Sequence, residues 1–219
     1  MLRQRAFRGI IAGMIVAFLA GSGPFGMAAA QGGRPLTLVV LGDSLTAGYG
    51  LPPGADFVSV LERALKERGH DVRLVNAGVS GDTSTGGLER LDWSVPDGAD
   101  GVIVELGAND MLRGTDPAVT RNALEAIVTR LKGRGIPVML AGMLAQRNLG
   151  TAYTDRLDAI YPDLAKKHGL VLYPFFLDGV AGDRVLNLPD GLHPTQKGIE
   201  RIVERIVPTV EAFLARLRP

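Results

Sequence analysis

Five short apolar runs, each followed by a stretch with a different spacing, restrict this chain more than any other feature. The runs span 36–41, 72–76, 102–106, 137–141 and 170–173 and are rich in Val, Leu and Ile. Strands buried on both faces read as continuous apolar runs rather than as alternation. Between them the apolar residues recur at helical spacing: Phe57, Val60, Leu61 and Leu65 over 56–68, then Leu124, Ile127, Val128 and Leu131 after Pro117, then Leu157, Ile160, Tyr161 and Leu164 over 152–167. A short helix is expected through Leu88 and Leu91, and a long last one over 195–217 with a bend at Pro208. Asp116 suits an N-cap, with Pro117 at the first helical position. Strands alternating with helices predict an α/β fold of three layers, α/β/α, around a five-stranded parallel sheet. At 219 residues one domain is expected, over about 36–217.

The first thirty residues stand apart from that pattern. Arg3, Arg5 and Arg8 precede an uncharged run over 10–20, and Ala28-Ala29-Ala30 offers a small-residue cleavage site. That is the three-part pattern of a secretory signal peptide, cleaved near Ala30, and the run is too short to span a bilayer. The expected product is periplasmic or secreted, a monomer with no stable membrane span after cleavage. The formal charge is +1, which does not favour a nucleic-acid partner. There are no cysteines, so thiolate chemistry, disulfides and Cys-based metal sites are excluded.

In a parallel sheet the loops that follow the strands gather at one edge. The first apolar run ends in Gly42-Asp43-Ser44, the second leads to Gly81, the third to Asn109, and Asp190-Gly191-Leu192-His193 precedes the last helix. Together they hold the parts for acyl transfer. Ser44 is the candidate nucleophile, His193 the base and Asp190 the group that orients the imidazole. An Asp three residues before a His can reach Nδ1 across a single turn. The N–H groups of Ser44 and Gly81 and the Asn109 amide are candidate donors to the developing oxyanion. A glycine at 81 would let its N–H approach a crowded carbonyl; Gly78 competes for that position, and the spacing to Asp82-Thr83 favours Gly81.

Gly42-Asp43-Ser44-Leu45, Ser80-Gly81-Asp82-Thr83, Gly107-Ala108-Asn109-Asp110 and Asp190-Gly191-Leu192-His193-Pro194 resemble, in order and spacing, the four blocks of the GDSL or SGNH hydrolase family. The likeness runs from about Leu36 to Val207 and is greatest to an exported bacterial branch of thioesterases, lysophospholipases and arylesterases. It implies a flavodoxin-like fold, a Ser44–Asp190–His193 triad and an oxyanion hole from Ser44, Gly81 and Asn109. It also implies broad action on small acyl esters and thioesters, lysophospholipid among the candidate substrates, and no cofactor. Asp110, Met111, Leu112 and Arg113 fall in a loop that gates substrate in that branch. The segment 145–150 departs from the branch: Gln146, Arg147 and Leu149 stand where relatives carry prolines and an aromatic, so acyl-length preference does not carry over.

Other readings compete. Ser44 and Asp190 both sit in turn-forming sequence. His70 and His168 suit structural roles, and Arg73, Arg90, Arg121 and Arg130 read as solvated faces. Asp43, Asp82 and Asp110 resemble a Mg²⁺ ligand set but lack a phosphate-cradling loop, so no metal is expected. An O-acetyl esterase or transferase acting on polysaccharide would predict an open cleft with little acyl surface. A non-catalytic binding module would predict loss of the Ser, Asn or His. The G-x-S-x-G elbow of α/β-hydrolases fails at Thr46.

Overall fold

A computed structural model of the chain describes residues 34–217; the leader predicted over 1–30 lies outside the described residues. Strands β1 (Leu36–Gly42), β2 (Val72–Gly78), β3 (Gly101–Glu105), β4 (Val138–Ala141) and β5 (Val171–Tyr173) form one sheet. Its order is β2-β1-β3-β4-β5 and every pair is parallel. The sequence pattern follows from position in that order. Central β1 and β3 are covered on both faces, so Leu38 to Leu41 and Val102 to Val104 are almost wholly buried. On the edge strand β2, Val72 and Leu74 are buried while Arg73 is exposed.

After β1 come α1 (Ser44–Ala47) and α2 (Phe57–Glu67), and between β2 and β3 lie α3 (Ser84–Glu89) and α4 (Leu91–Ser94). The β3–β4 connection carries α5 (Ala108–Leu112) and α6 (Pro117–Gly133). A 3₁₀ turn (Arg147–Leu149), α7 (Thr151–Asp158) and α8 (Ile160–His168) join β4 to β5, and α9 (Gln196–Leu217) ends the chain. Crossovers between parallel strands are right-handed. The β1-to-β2 connection runs opposite to the others in strand order, so α2 covers one face and α3, α6 and α8 the other. Helix α9 packs on α2, whereas α6 packs on α3, α7 and α8. Phe57 of α2 meets Phe176 edge-on, with centroids 4.8 Å apart. The expected three-layer α/β/α fold is present.

The local departures have local causes. The helix expected over 152–167 is two helices broken at Ala159; Pro162 has no N–H to offer the Asp158 carbonyl. The short helix near Leu88 likewise divides at Arg90. Residues 44–47 and 108–112, expected as loop, are single helical turns. Helix α9 continues through Pro208 to Leu217.

Strand order reverses between β1 and β3, so the segments leaving those neighbours diverge to opposite faces. A crevice opens at such a point, beyond the carboxyl ends of the strands. Ser44 leaves β1 there, and Asn109 follows β3.

Candidate active site

Asp43 caps α1, its side chain accepting from the Leu45 N–H at 2.9 Å, and this turn lifts Ser44 out of the sheet. Ser44 keeps 9% exposure, on the wall of the crevice. Its Oγ lies 2.9 Å from His193 Nε2. On the other side of the imidazole, Nδ1 is 2.8 Å from Asp190 Oδ2. A carboxylate can only accept, so Nδ1 carries the hydrogen and Nε2 is left to accept from the serine hydroxyl. The remaining Asp190 oxygen takes the Leu192 N–H at 2.8 Å and the His193 N–H at 3.0 Å. Those two backbone donors, and then the imidazole, lower the Asp190 carboxyl to about 2. The Tyr49 ring lies 4.5 Å from the imidazole at a tilt of 37° and covers it. Nothing in the sequence around Tyr49 marks it for this place, because the contact joins residues 144 positions apart.

Asn109 sits in the first turn of α5, and its Nδ2 donates to Asp43 Oδ2 at 3.0 Å. An amide nitrogen carries two hydrogens, so one remains for a ligand while the other fixes the plane. Among the described residues, neither the Ser44 N–H nor the Gly81 N–H has a protein acceptor. The competing Gly78 N–H is taken by the Asn76 side chain at 2.9 Å. The physical reason for glycine at 81 differs from the one expected. A Cβ there would meet only Arg113 Nη2, at 3.8 Å, but φ is +85°, which other residues adopt at a cost.

Of the predicted gating residues, Asp110 and Met111 are buried rather than part of a surface loop. The Asp110 carboxylate accepts from the Ser84 N–H (2.7 Å), the Ser84 hydroxyl (2.6 Å) and the Thr120 hydroxyl (3.1 Å). Met111 Sδ accepts from the Gln146 N–H at 3.2 Å. Leu112 is 48% exposed at the cavity wall, and Arg113 reaches across to the Gly81 carbonyl at 2.6 Å. The three acids that resembled a metal set are thus committed elsewhere: Asp43 to Leu45 and Asn109, Asp82 to Arg90, Asp110 to Ser84 and Thr120.

Arg90 corrects an expectation. It is 7% exposed rather than solvated. Its guanidinium donates to the Gly42 carbonyl (2.8 Å), the Ala77 carbonyl (2.9 Å), the Ser94 hydroxyl (2.9 Å) and the Asp82 carboxylate (2.5 Å). It therefore ties the ends of β1 and β2, from which Ser44 and Gly81 issue. Arg90→Leu should destabilise the fold by about 3–5 kcal/mol, since it strands a largely buried carboxylate and two carbonyls. A urea titration checks it; a shift under 1 kcal/mol would show these contacts to be dispensable. The other two histidines are far from the crevice: His70 pairs with Glu211 of α9 at 3.0 Å, and His168 with Glu125 of α6 at 3.2 Å.

The crevice holds a cavity of about 360 Å³ with Ser44, Asn109 and His193 on its wall. Most of its lining is apolar, from Leu45, Met111, Met143, Phe175, Leu177 and Leu192. Gln146, from the divergent segment, also lines it. A hydroxyl facing an imidazole, two free N–H groups and an apolar pocket can together bind an acyl group and move one proton.

Comparison with known proteins identifies the family. The pattern of the GDSL-like lipase/acylhydrolase family matches residues 40–201. The chain is 37% identical to esterase TesA of Pseudomonas aeruginosa over 81% of its length and 89% of that protein's. It is also 37% identical to thioesterase 1/protease 1/lysophospholipase L1 of Escherichia coli K12, over 73% of this chain and 76% of the other. Among solved structures, AlinE4, an SGNH-hydrolase family esterase, is 43% identical with a TM-score of 0.70, covering 85% of this chain and 98% of that one. By fold, motif order and relatives alike, this chain belongs to the GDSL-like lipase/acylhydrolase family and is a GDSL-type ester hydrolase.

Proposed function

We propose that the chain hydrolyses carboxylic esters and thioesters through an acyl-enzyme on Ser44. The observation that carries this reading is the unbroken run of hydrogen bonds from Asp190 through His193 to Ser44, opening on an apolar cavity. Ser44 Oγ adds to the acyl carbon while its proton passes to His193 Nε2, and the carbonyl electron pair moves onto oxygen. The Ser44 and Gly81 N–H groups and the Asn109 amide receive that oxyanion. Collapse expels the alkoxide or thiolate, which takes the proton from His193. Water then repeats the sequence, with His193 as base, and frees the acid. Asp190 stays ionised throughout and holds the imidazolium.

The apolar lining favours an acyl chain over a polysaccharide acetate, whose natural site would expose little hydrocarbon-binding surface. Thioesters and lysophospholipid are included because a relative's name carries both activities. Export belongs to the same proposal, on the basic, apolar and small-residue regions of 1–30. Among the described residues no helix is long and apolar enough to cross a membrane.

The test is reaction of the wild-type protein with an activated alkylphosphonate ester, followed by peptide mass mapping. Stoichiometric modification at Ser44 with loss of activity is expected; loss of activity with the label elsewhere refutes the nucleophile. Asn109→Ala should lower kcat by about 10²–10³-fold with KM nearly unchanged, as for a donor used only in the transition state. An effect confined to KM would remove Asn109 from that role. Rates on matched acetyl, butyryl, octanoyl and palmitoyl esters then grade the pocket.

A further inference from the structure

A second acid lies behind the nucleophile, and the reaction above does not use it. Glu105 ends β3 with no exposed surface. Its Oε2 accepts from the Thr46 hydroxyl at 2.8 Å, while Oε1 is buried and has no partner among the described residues. Thr46 is also fully buried and stands two positions after Ser44, inside the one-turn helix α1. Gly42, paired in register with Glu105, leaves the room this contact needs. A Cβ at 42 would come within 2.0 Å of Thr46 Oγ1 and 2.8 Å of Glu105 Oε2. The glycine that opens the Gly42-Asp43-Ser44 motif is therefore accounted for by a carboxyl–hydroxyl contact seated against it.

We propose that Glu105 is a positioning residue for Ser44, clamping the nucleophile turn through Thr46 with an uncharged carboxyl group. The inference rests on Ser44 being the nucleophile. Four residues fix one helical turn poorly, because an isolated turn makes few hydrogen bonds for the dihedrals it orders. The Thr46–Glu105 contact fastens that turn to β3, the strand that also leads to Asn109. Nucleophile and amide donor are then referred to one rigid element.

The uncharged state follows from complete burial beside a second acid, with one oxygen left unmet. Asp43 is buried beside the same turn and receives two hydrogen bonds, from the Leu45 N–H and Asn109 Nδ2. Glu105 receives the Thr46 hydroxyl, and the Asp43 and Thr46 N–H groups lie near enough to offset part of the cost of its charge, but Oε1 is buried with no hydrogen-bond partner among the described residues. Two carboxylates close together in a dry site do not both ionise, and the proton goes to the one whose two oxygens are not both hydrogen-bonded. Burial, and then the Asp43 charge, push the Glu105 carboxyl well above the usual range, while burial takes Asp43 only to about 6. The other groups about this site are Tyr161 of α8, whose hydroxyl is spent on the Leu106 carbonyl at 2.8 Å, Arg90, which holds the Gly42 carbonyl, and Asp110 and His193, which act on Asp43 and are themselves held by Ser84 and Thr120 and by Asp190 and Ser44. None of the four donates to Glu105.

Three full-length variants, compared with the wild type, test this. Thr46→Val removes the hydroxyl at nearly constant volume, Thr46→Ser restores it, and Glu105→Gln keeps an acceptor without a charge. With phosphonate titration giving the concentration of active sites, kcat per site of Thr46→Val should fall at least tenfold with KM held, and Thr46→Ser should recover most of it. Glu105→Gln should keep kcat within about threefold and leave the pH profile of kcat/KM unmoved. An unchanged kcat per site in Thr46→Val, even with a lower melting temperature, would make the contact merely structural and overturn the proposal. A displaced pH profile in Glu105→Gln would show that the residue carries charge, and overturn it equally. Failure of the wild type to be labelled at Ser44 would instead refute the underlying reading.

Discussion

Ser44→Ala is expected to lower ester turnover by roughly a million-fold, the scale seen when a hydroxyl nucleophile is removed from a working triad. The fold should survive. The hydroxyl's protein partner is His193, at the wall of an open cavity, and one such hydrogen bond contributes about 1 kcal/mol net. Steady-state rates beside a urea denaturation curve separate the two effects. Adding His193→Ala to Ser44→Ala should cost almost nothing more, because the two residues act as a unit and their losses do not add. Wild-type turnover in the serine variant would end the acyl-enzyme reading outright.

Asp190→Asn is expected to cost about ten-thousand-fold in kcat with little change in structure. The asparagine oxygen can still accept from Leu192 and His193 N–H, so the loop keeps its shape. The amide nitrogen would then face Nδ1 and favour the tautomer with hydrogen on Nε2, where Ser44 needs an acceptor. The pH dependence has a definite sign. Backbone donors lower Asp190 to about 2 in the folded protein, against about 3.9 for a free aspartate. Its ionised form therefore favours folding above pH 4, and that contribution is lost as pH falls from about 4 through 2. An acid limb of activity above pH 4 must come from another group. If Asp190→Asn merely moved the wild-type acid limb while preserving kcat, the orienting role would be lost.

The sheet was legible because its central strands are buried on both faces, and such strands announce themselves as unbroken runs of Val, Leu and Ile. Ser44, Asp190 and His193 could be singled out because three histidines leave few choices, and His70 before the second strand and His168 at a helix end fall away from the loops that gather at the sheet's carboxyl edge. Arg90 and Glu105 were opaque for a shared reason. Each is a charged type at the end or turn of an element, where charge ordinarily means solvent, and each is buried by partners distant in sequence. Asp110 was hidden similarly, its three donors arriving from Ser84 and Thr120. Patterns read along a chain report the face a residue turns to its own element; they do not report what a neighbouring element brings to meet it. The reason for glycine at 81 was misread because a positive φ leaves no trace in composition.

The Asp190–His193 pairing is contained in one turn, three residues apart, with both backbone donors also inside it. The proposed base and the acid that orients it thus form one self-contained turn, all of whose internal hydrogen bonds are local. A mutation or insertion between β5 and this turn can displace the imidazole from Ser44, yet leaves its tautomer intact. Evolution or an engineer can therefore vary the length and chemistry of 174–186, which brings Phe175, Leu177 and Ala181 to the pocket wall, while re-solving a single distance. Retuning of the pocket would be expected to concentrate there, with the Asp190–His193 pairing carried along unchanged.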